Sequence, residues 1–301
     1  KMKNKLKKLE GIFPIIYCFF NKDNTLDKKI ISEQIKLIGS MGSNGIASLG
    51  LATEVNKLSF KEKKTIIELV TENTNHLFPT AVTIQGSSFQ EYLKLIDVAK
   101  NNEANWIILQ PLINNNTTDK DCFNFFKKLI PYTEGTITGI QNAKEYLGVG
   151  LTAKEIIYLH KKYNNFRAIK GEASSVFMQK EIKQYPNSLK VFNGRGGQEI
   201  VDNFLIGCSG IVPALDGADK FLKIYKHIKD KNISKANIEY QKILPHIVFI
   251  MQSISTMICY GKRICAYRMG INKVYDRKPF LEPTDYGIKK SKKIALELGN
   301  Y

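Results

Sequence analysis

A lysine and a glutamate two residues apart, Lys170-Gly171-Glu172, close a run that contains Phe166, Ala168 and Ile169. A second polar cluster, Asn193-Gly194-Arg195-Gly196-Gly197, ends another apolar run. An amine at the inner end of a buried strand is partly desolvated, which favours its neutral, nucleophilic form, and such an amine adds to carbonyl carbons to give a Schiff base. In extended backbone, residues i and i+2 share a face, so Glu172 lies beside Lys170 and can carry the protons that imine chemistry moves. Asn193 and the glycines after it offer side-chain and backbone N–H donors to an anionic substrate, while Arg195 is either a carboxylate partner or an exposed loop residue. Thr53-Glu54 and Gln141-Asn142 are two further polar pairs that follow apolar runs. Taken alone, Lys170 and Glu172 also fit a solvated strand terminus with a surface ion pair of little energetic weight.

The elements around them decide between those readings. Eight short apolar runs recur along the chain: Gly11–Tyr17, Gly45–Gly50, Phe78–Ile84, Trp106–Leu112, Gly135–Ile140, Phe166–Lys170, Leu189–Asn193 and Gly210–Ala214. Segments with helical periodicity lie between them, at Asp27–Met41, Phe60–Thr71, Ser88–Asn101, Lys120–Ile130 and Gln198–Ile206. Strands that alternate with helices pair in parallel, because each crossover returns the chain to the same end of the sheet. The count predicts a (β/α)8 TIM barrel, an α/β fold whose active sites form at the C-terminal strand ends, where all four polar clusters fall. A doubly wound open sheet is the alternative, but Asn21-Lys22-Asp23-Asn24 after the first run offers no glycine-rich phosphate turn. The spacing assigns residues 1–216 to the barrel core and 217–301 to the eighth barrel helix and a C-terminal helical appendage. Helices are expected there over Asp219–Lys229, Ile233–Gly261 and Asp285–Leu298, with Pro279 and Pro283 as breakers.

Composition narrows the class. With 301 residues, 43% of them hydrophobic, the chain can bury a full core, and a charged fraction of 24% is ordinary for a globular protein. The net charge of +17 raises the question of nucleic acid, yet apart from the basic start Lys1–Lys8 the lysines are dispersed, and no nucleic-acid-binding signature is present. No nucleic-acid partner is expected. The basic start followed by Ile12–Phe20 imitates a signal peptide, but the apolar run contains Pro14, is too short to span a bilayer and lacks a small-residue cleavage pattern. No membrane partner is expected either. Five cysteines (Cys18, Cys122, Cys208, Cys259, Cys265), an odd number without CxxC spacing, suggest reduced thiols in a cytoplasmic protein and small core residues, not metal ligands.

The segment Gly45-Ile46-Ala47-Ser48-Leu49-Gly50-Leu51-Ala52-Thr53-Glu54, the helix start Leu58-Ser59-Phe60-Lys61-Glu62, and Ile169-Lys170-Gly171-Glu172-Ala173-Ser174 together resemble the dihydrodipicolinate synthase / N-acetylneuraminate lyase superfamily of Schiff-base-forming barrels. The likeness spans essentially the whole chain. The resemblance implies that Lys170 is the Schiff-base lysine, and homotetrameric assembly. At three positions where synthases and lyases of that superfamily carry relay hydroxyls, this chain has Ala52, Gln141 and Ile113, which argues against dihydrodipicolinate synthesis. Gly50–Leu58, Gln141–Gly148 and Phe192–Gly197 are instead similar to the branch that dehydrates 2-keto-3-deoxy sugar acids, 2-keto-3-deoxy-L-arabonate dehydratase in particular, although Lys144 stands where that branch has proline.

That likeness implies catalytic roles for Lys170, Glu172 and Asn193: the imine, the proton shuttle, and orientation of the leaving hydroxyl. It implies a carboxylate site at the backbone of Ala52 and Thr53, and a substrate contact for Gln141, with Gly194 and Arg195 lining the far side. The substrate is a small 2-keto acid, and neither metal nor organic cofactor is expected. A retro-aldol or dihydrodipicolinate synthase-like enzyme on a related keto acid, and a non-catalytic keto-acid-binding barrel, are the other readings.

Overall fold

The computed structural model describes Leu6 and residues 8–301. Most of the basic start, residues 1–5 and 7, lies outside the described residues. Eight parallel strands form in chain order: β1 (Gly11–Ile12), β2 (Ile46–Ser48), β3 (Thr80–Ile84), β4 (Trp106–Leu109), β5 (Ile137–Asn142), β6 (Ala168–Gly171), β7 (Lys190–Asn193) and β8 (Gly210–Ile211). They pair in the order β1-β8-β7-β6-β5-β4-β3-β2. Ile15 closes the ring, bridging to Ala214 on one side and to Ala47 on the other. The result is the expected (β/α)8 TIM barrel. Regular pairing is shorter than the first and last apolar runs, where Pro14 and Pro213 lack an N–H to give the ladder, although bonds from Phe13 and Ile15 continue the contact toward the mouth.

Inside the barrel, aromatic rings take the bulk of the space. Phe192 meets Phe13 edge-on, with centroids 5.1 Å apart, and Trp106 at 4.9 Å. Gly210 sits where an added Cβ would fall 2.4 Å from the Phe192 ring, so the missing side chain there makes room for the aromatic layer. One layer above lie Gln141, in register with Lys170, and Lys170, in register with Phe192. The barrel floor is therefore dry and filled, and the first polar layer lies at the C-terminal rim.

Helices cover the outside. The expected ones are present as Lys28–Ser40, Phe60–Thr74, Phe89–Asn101, Asp119–Leu129 and Ile200–Leu205, joined by Ala153–Lys162 and by Ser175–Ile182, the latter with a weaker apolar periodicity. Ser59 and Glu62 form the capping box at the start of Phe60–Thr74: the Ser59 hydroxyl accepts from the Glu62 N–H, and the Glu62 carboxylate accepts from the Ser59 N–H.

Beyond β8 come the helix Ala218–Lys229 and the C-terminal helices, the last being Asp285–Leu298. The single helix expected over Ile233–Gly261 is instead two, Ile233–Ile250 and Ile254–Arg268, which meet at 105°. The cause is local. Ser253 takes extended backbone and accepts from the Thr256 N–H, so it starts a new helix where periodicity alone reads straight through. Pro245, by contrast, is accommodated inside the first helix. Ile243, Ile247, Ile264 and Ile294 of these helices share one apolar cluster with Ile12, Ile211 and Phe221, which seats the C-terminal segment against β1, β8 and the helix after it. Among the described residues no single helix is long and apolar enough to cross a membrane. All five cysteines are buried and unpaired, and burial pushes the thiols of Cys122, Cys208 and Cys265 up to about 12.

Candidate active site

Lys170 ends β6 with only 4% of its surface exposed. Its Nζ lies 2.5 Å from Oε1 of Glu172, which is just past the strand end and equally buried. The same Oε1 accepts from Nε2 of Gln141 at 3.0 Å, while the Gln141 Oε1 is buried with no protein partner. Two groups of opposite charge taken out of water at this distance compensate one another, and removing either strands the other. The contact is also a direct path for a proton from ammonium to carboxylate, leaving a neutral amine beside a carboxylic acid.

Gly194 makes this packing possible. An added Cβ would fall 2.5 Å from both Glu172 Oε1 and Lys170 Cε, so any side chain at 194 would displace the pair. On the opposite side, an added Cβ on Gly50 would approach Lys170 Nζ to 3.9 Å, which shows how far the amine reaches across the mouth.

Lys170 and Glu172 open onto a narrow pocket at the C-terminal end of the barrel. Ala52 and Gly194 line it, as the sequence led one to expect, and so does Tyr146, which it did not. Tyr146 lies on a one-turn helix, Lys144–Leu147, directly after β5. That turn is tethered by Lys144 to Asp119 at 2.5 Å and by Glu145 to Arg195 at 3.7 Å. The only signal in the sequence was its place in the loop after a barrel strand. Met251, Ile254 and Met257 roof the cavity from the C-terminal helices, a contribution set by the 105° bend.

The other candidates are engaged elsewhere. Asn193 Nδ2 donates to Ala173 O and to Asn203 Oδ1, and its Oδ1 accepts from the Arg195 N–H, so the amide braces the loop after β7 against the helix Ile200–Leu205. It follows inward-facing Phe192 and therefore points outward. Arg195 pairs with Glu199 at 3.2 Å, and Glu199 in turn accepts from the N–H and hydroxyl of Ser175; the guanidinium ties the loop to two neighbours. Thr53 donates its hydroxyl to Ile16 O at 2.7 Å, and its N–H is used in the turn with Gly50 O. Glu54 and Val55 also spend their N–H groups within that turn. Among the described residues neither Leu51 nor Ala52, both of which line the pocket, spends its N–H in that turn. Ile113 is 40% exposed in the loop after β4, away from the cavity of its own chain. No group of three or more His, Cys, Asp or Glu is placed to hold a metal ion among the described residues.

A buried amine with a carboxylate against it, opening on a pocket at the barrel mouth, is what this arrangement offers chemically. Comparison with known proteins agrees in kind. The chain is 21% identical over 288 residues to a probable 2-dehydro-3-deoxy-D-pentonate aldolase, YjhH, of Escherichia coli, covering 93% of this chain and 94% of that one. It is 21% identical to the 4-hydroxy-tetrahydrodipicolinate synthase of Methanopyrus kandleri, covering 79% of this chain and 80% of the other. In fold it matches a catalytic lysine mutant of the Ruminococcus gnavus sialic acid aldolase with a TM-score of 0.89 at 17% identity, covering 97% and 96% of the two chains. A dihydrodipicolinate synthase from Rhodopseudomonas palustris gives 0.86 at 17% identity, covering 97% and 98%. The model of the dihydrodipicolinate synthetase family matches residues 8–297, and the chain belongs to that family of enzymes.

Proposed function

We propose that this protein is a Schiff-base-forming lyase that dehydrates a 2-keto-3-deoxy sugar acid of the 2-keto-3-deoxy-L-arabonate type to 2-oxoglutarate semialdehyde. The observation that carries the reading is the buried Lys170–Glu172 contact with Gln141 as its neighbour on β5. Lys170 adds to the C2 ketone and water leaves, giving a protonated imine whose positive charge acidifies C3. Glu172 takes the C3 proton, and the electron pair is held as an enamine. The enamine expels the C4 hydroxyl, which departs as water with the proton that Glu172 returns. A proton then passes from C5 to C3, leaving a C4–C5 enol whose hydroxyl proton moves to C4 as C5 becomes an aldehyde, and hydrolysis of the imine frees Lys170. The Ala52 N–H binds the carboxylate, and Tyr146 hydrogen-bonds the substrate hydroxyls. Asn193 acts through the loop it braces. The chemistry as written uses no metal or organic cofactor, and the family resemblance supports a homo-oligomer, a tetramer, as the working assembly.

Retro-aldol cleavage is the second reading, supported by the similarity to the pentonate aldolase. Both begin with the same imine, so borohydride in the presence of pyruvate should attach mass at Lys170 in either case; absence of the adduct would end both. Incubation with 2-keto-3-deoxy-L-arabonate and identification of the product separates them. A semialdehyde without pyruvate is expected, and pyruvate as the carbon product would establish cleavage instead.

A further inference from the structure

The cavity is chemically two-sided. The side chains that reach it from the β5–β6 sector are polar: Tyr146, Lys170 and Glu172. Those from the β8–β1 sector are apolar, Val212, Ala214 and Ile15, and the roof of Met251, Ile254 and Met257 has no hydrogen-bonding hydrogen to offer. Met251 is packed down on the β7 loop, its Sδ 2.3 Å from where a Cβ on Gly196 would stand, so the roof is seated on the loop that edges the site. With C2 held by Lys170, the lining left to a substrate's remaining carbons is Tyr146 on one side and this roof on the other. Hydroxyls at C4 and C5 meet Glu172 and Tyr146. A group beyond C5 meets thioethers and a branched alkyl chain.

Resting on the Schiff-base reading above, we infer that the roof makes this site selective for 2-keto-3-deoxy acids that end without a hydroxyl beyond C5. These are the pentonate and, more tightly, its methyl-ended homologue, the 2-keto-3,6-dideoxyhexonate. A 2-keto-3-deoxyhexonate must set its C6 hydroxyl against thioethers, weak acceptors at best, and an alkyl chain, whereas the methyl group of the 6-deoxy acid packs there favourably. The difference between the two ligands is one oxygen atom.

The test uses the trapping reaction, which reads binding and imine formation without requiring turnover. The half-saturating concentration for borohydride adduct formation at Lys170 is measured for pyruvate, the 2-keto-3,6-dideoxyhexonate and the 2-keto-3-deoxyhexonate of matching configuration. The 6-deoxy acid should half-saturate at a concentration about tenfold or more below the hexonate. Ile254→Asn and, separately, Met251→Gln place an amide in the roof and should bring that ratio close to one, each half-saturation being taken relative to the same variant's value for pyruvate. Equal half-saturation in the unsubstituted protein, or an unaltered ratio in both variants that still trap pyruvate normally, overturns the inference and leaves the Schiff-base reading standing. Failure of pyruvate itself to label Lys170 overturns that reading, and this inference with it.

Discussion

Two lysine–glutamate pairs in this chain share a separation of 2.5 Å and near-complete burial: Lys170–Glu172 at the barrel mouth, and Lys262–Glu54, which joins the C-terminal helices to the loop after β2. Their surroundings differ. Lys262 also faces Asp276 at 3.3 Å, and Glu54 also accepts from Lys57 at 2.7 Å, while Asp276 is held by Arg263. Glu54 stands in the left-handed region at φ 56°, a conformation uncommon for a non-glycine residue, and the two ammonium groups fix it there. Every charge in that network has its counterparts in place, and the pair borders no space for a carbonyl carbon. At the barrel mouth the one further side-chain partner among the described residues is Gln141, which donates to Glu172, and the amine faces the cavity. Burial and pairing are common to both. Access and an incomplete set of partners distinguish the lysine that can react from the one that fastens.

The sharpest way to break this contrast is to remove each lysine in turn. Lys170→Arg keeps a cation against Glu172 yet cannot form an imine; turnover should fall by at least about 10³-fold and the borohydride adduct should vanish, as read by intact-protein mass. Glu172→Gln should still trap a keto acid but slow dehydration by about 10²-fold or more, with stopped assays of the semialdehyde as the measure. Undiminished turnover in that variant would rule out the proton-shuttle role. Lys262→Met should behave in the opposite way: urea denaturation should show a loss of about 3 kcal/mol as Glu54 and Asp276 each lose one buried counter-charge, while the folded fraction traps pyruvate normally. Tyr146→Phe should leave stability unchanged and lower turnover on the pentonate roughly tenfold, the scale of one lost hydrogen bond to substrate.

The smallest effect concerns Asp219 in the appendage. Burial raises its pKa, but hydrogen bonds and charge from Arg268 outweigh that and hold the carboxyl below the ordinary aspartate value. A carboxylate lowered on folding stabilises the fold above its unfolded pKa, and the contribution is lost as pH falls through the folded value. Asp219→Asn should therefore flatten the acid limb of stability against pH, and denaturation midpoints measured between neutrality and acid should lie closer together than in the unsubstituted protein.

Much of the architecture is legible in the chain because strand and helix periods are local. The eight apolar runs, the Ser59–Glu62 helix start and the alternation that sets Lys170 beside Glu172 depend on residues only a few positions apart. Asn193 shows the limit of such reasoning. It sits at a strand end among glycines, yet being one residue on from Phe192 turns its amide outward, where Asn203 and Ala173 take it up. Arg195 and Thr53 likewise look free in sequence and are engaged by groups from other loops. The bend at Ser253 is another case: a single capping residue outweighs a continuous apolar period, and the consequence, a roof of Met251, Ile254 and Met257, lies far along the chain from Lys170.

What the sequence determined alone is the barrel, the placement of Lys170 beside Glu172 at a strand end, and the family. Each follows from short-range periodicity and residue type. The tertiary structure decided which polar residues face the cavity, which of two buried lysine–glutamate pairs has room for a carbonyl carbon, and what closes the site above it. Those are matters of distance between elements remote in sequence, where desolvation and available partners, not residue identity, govern what a side chain can do.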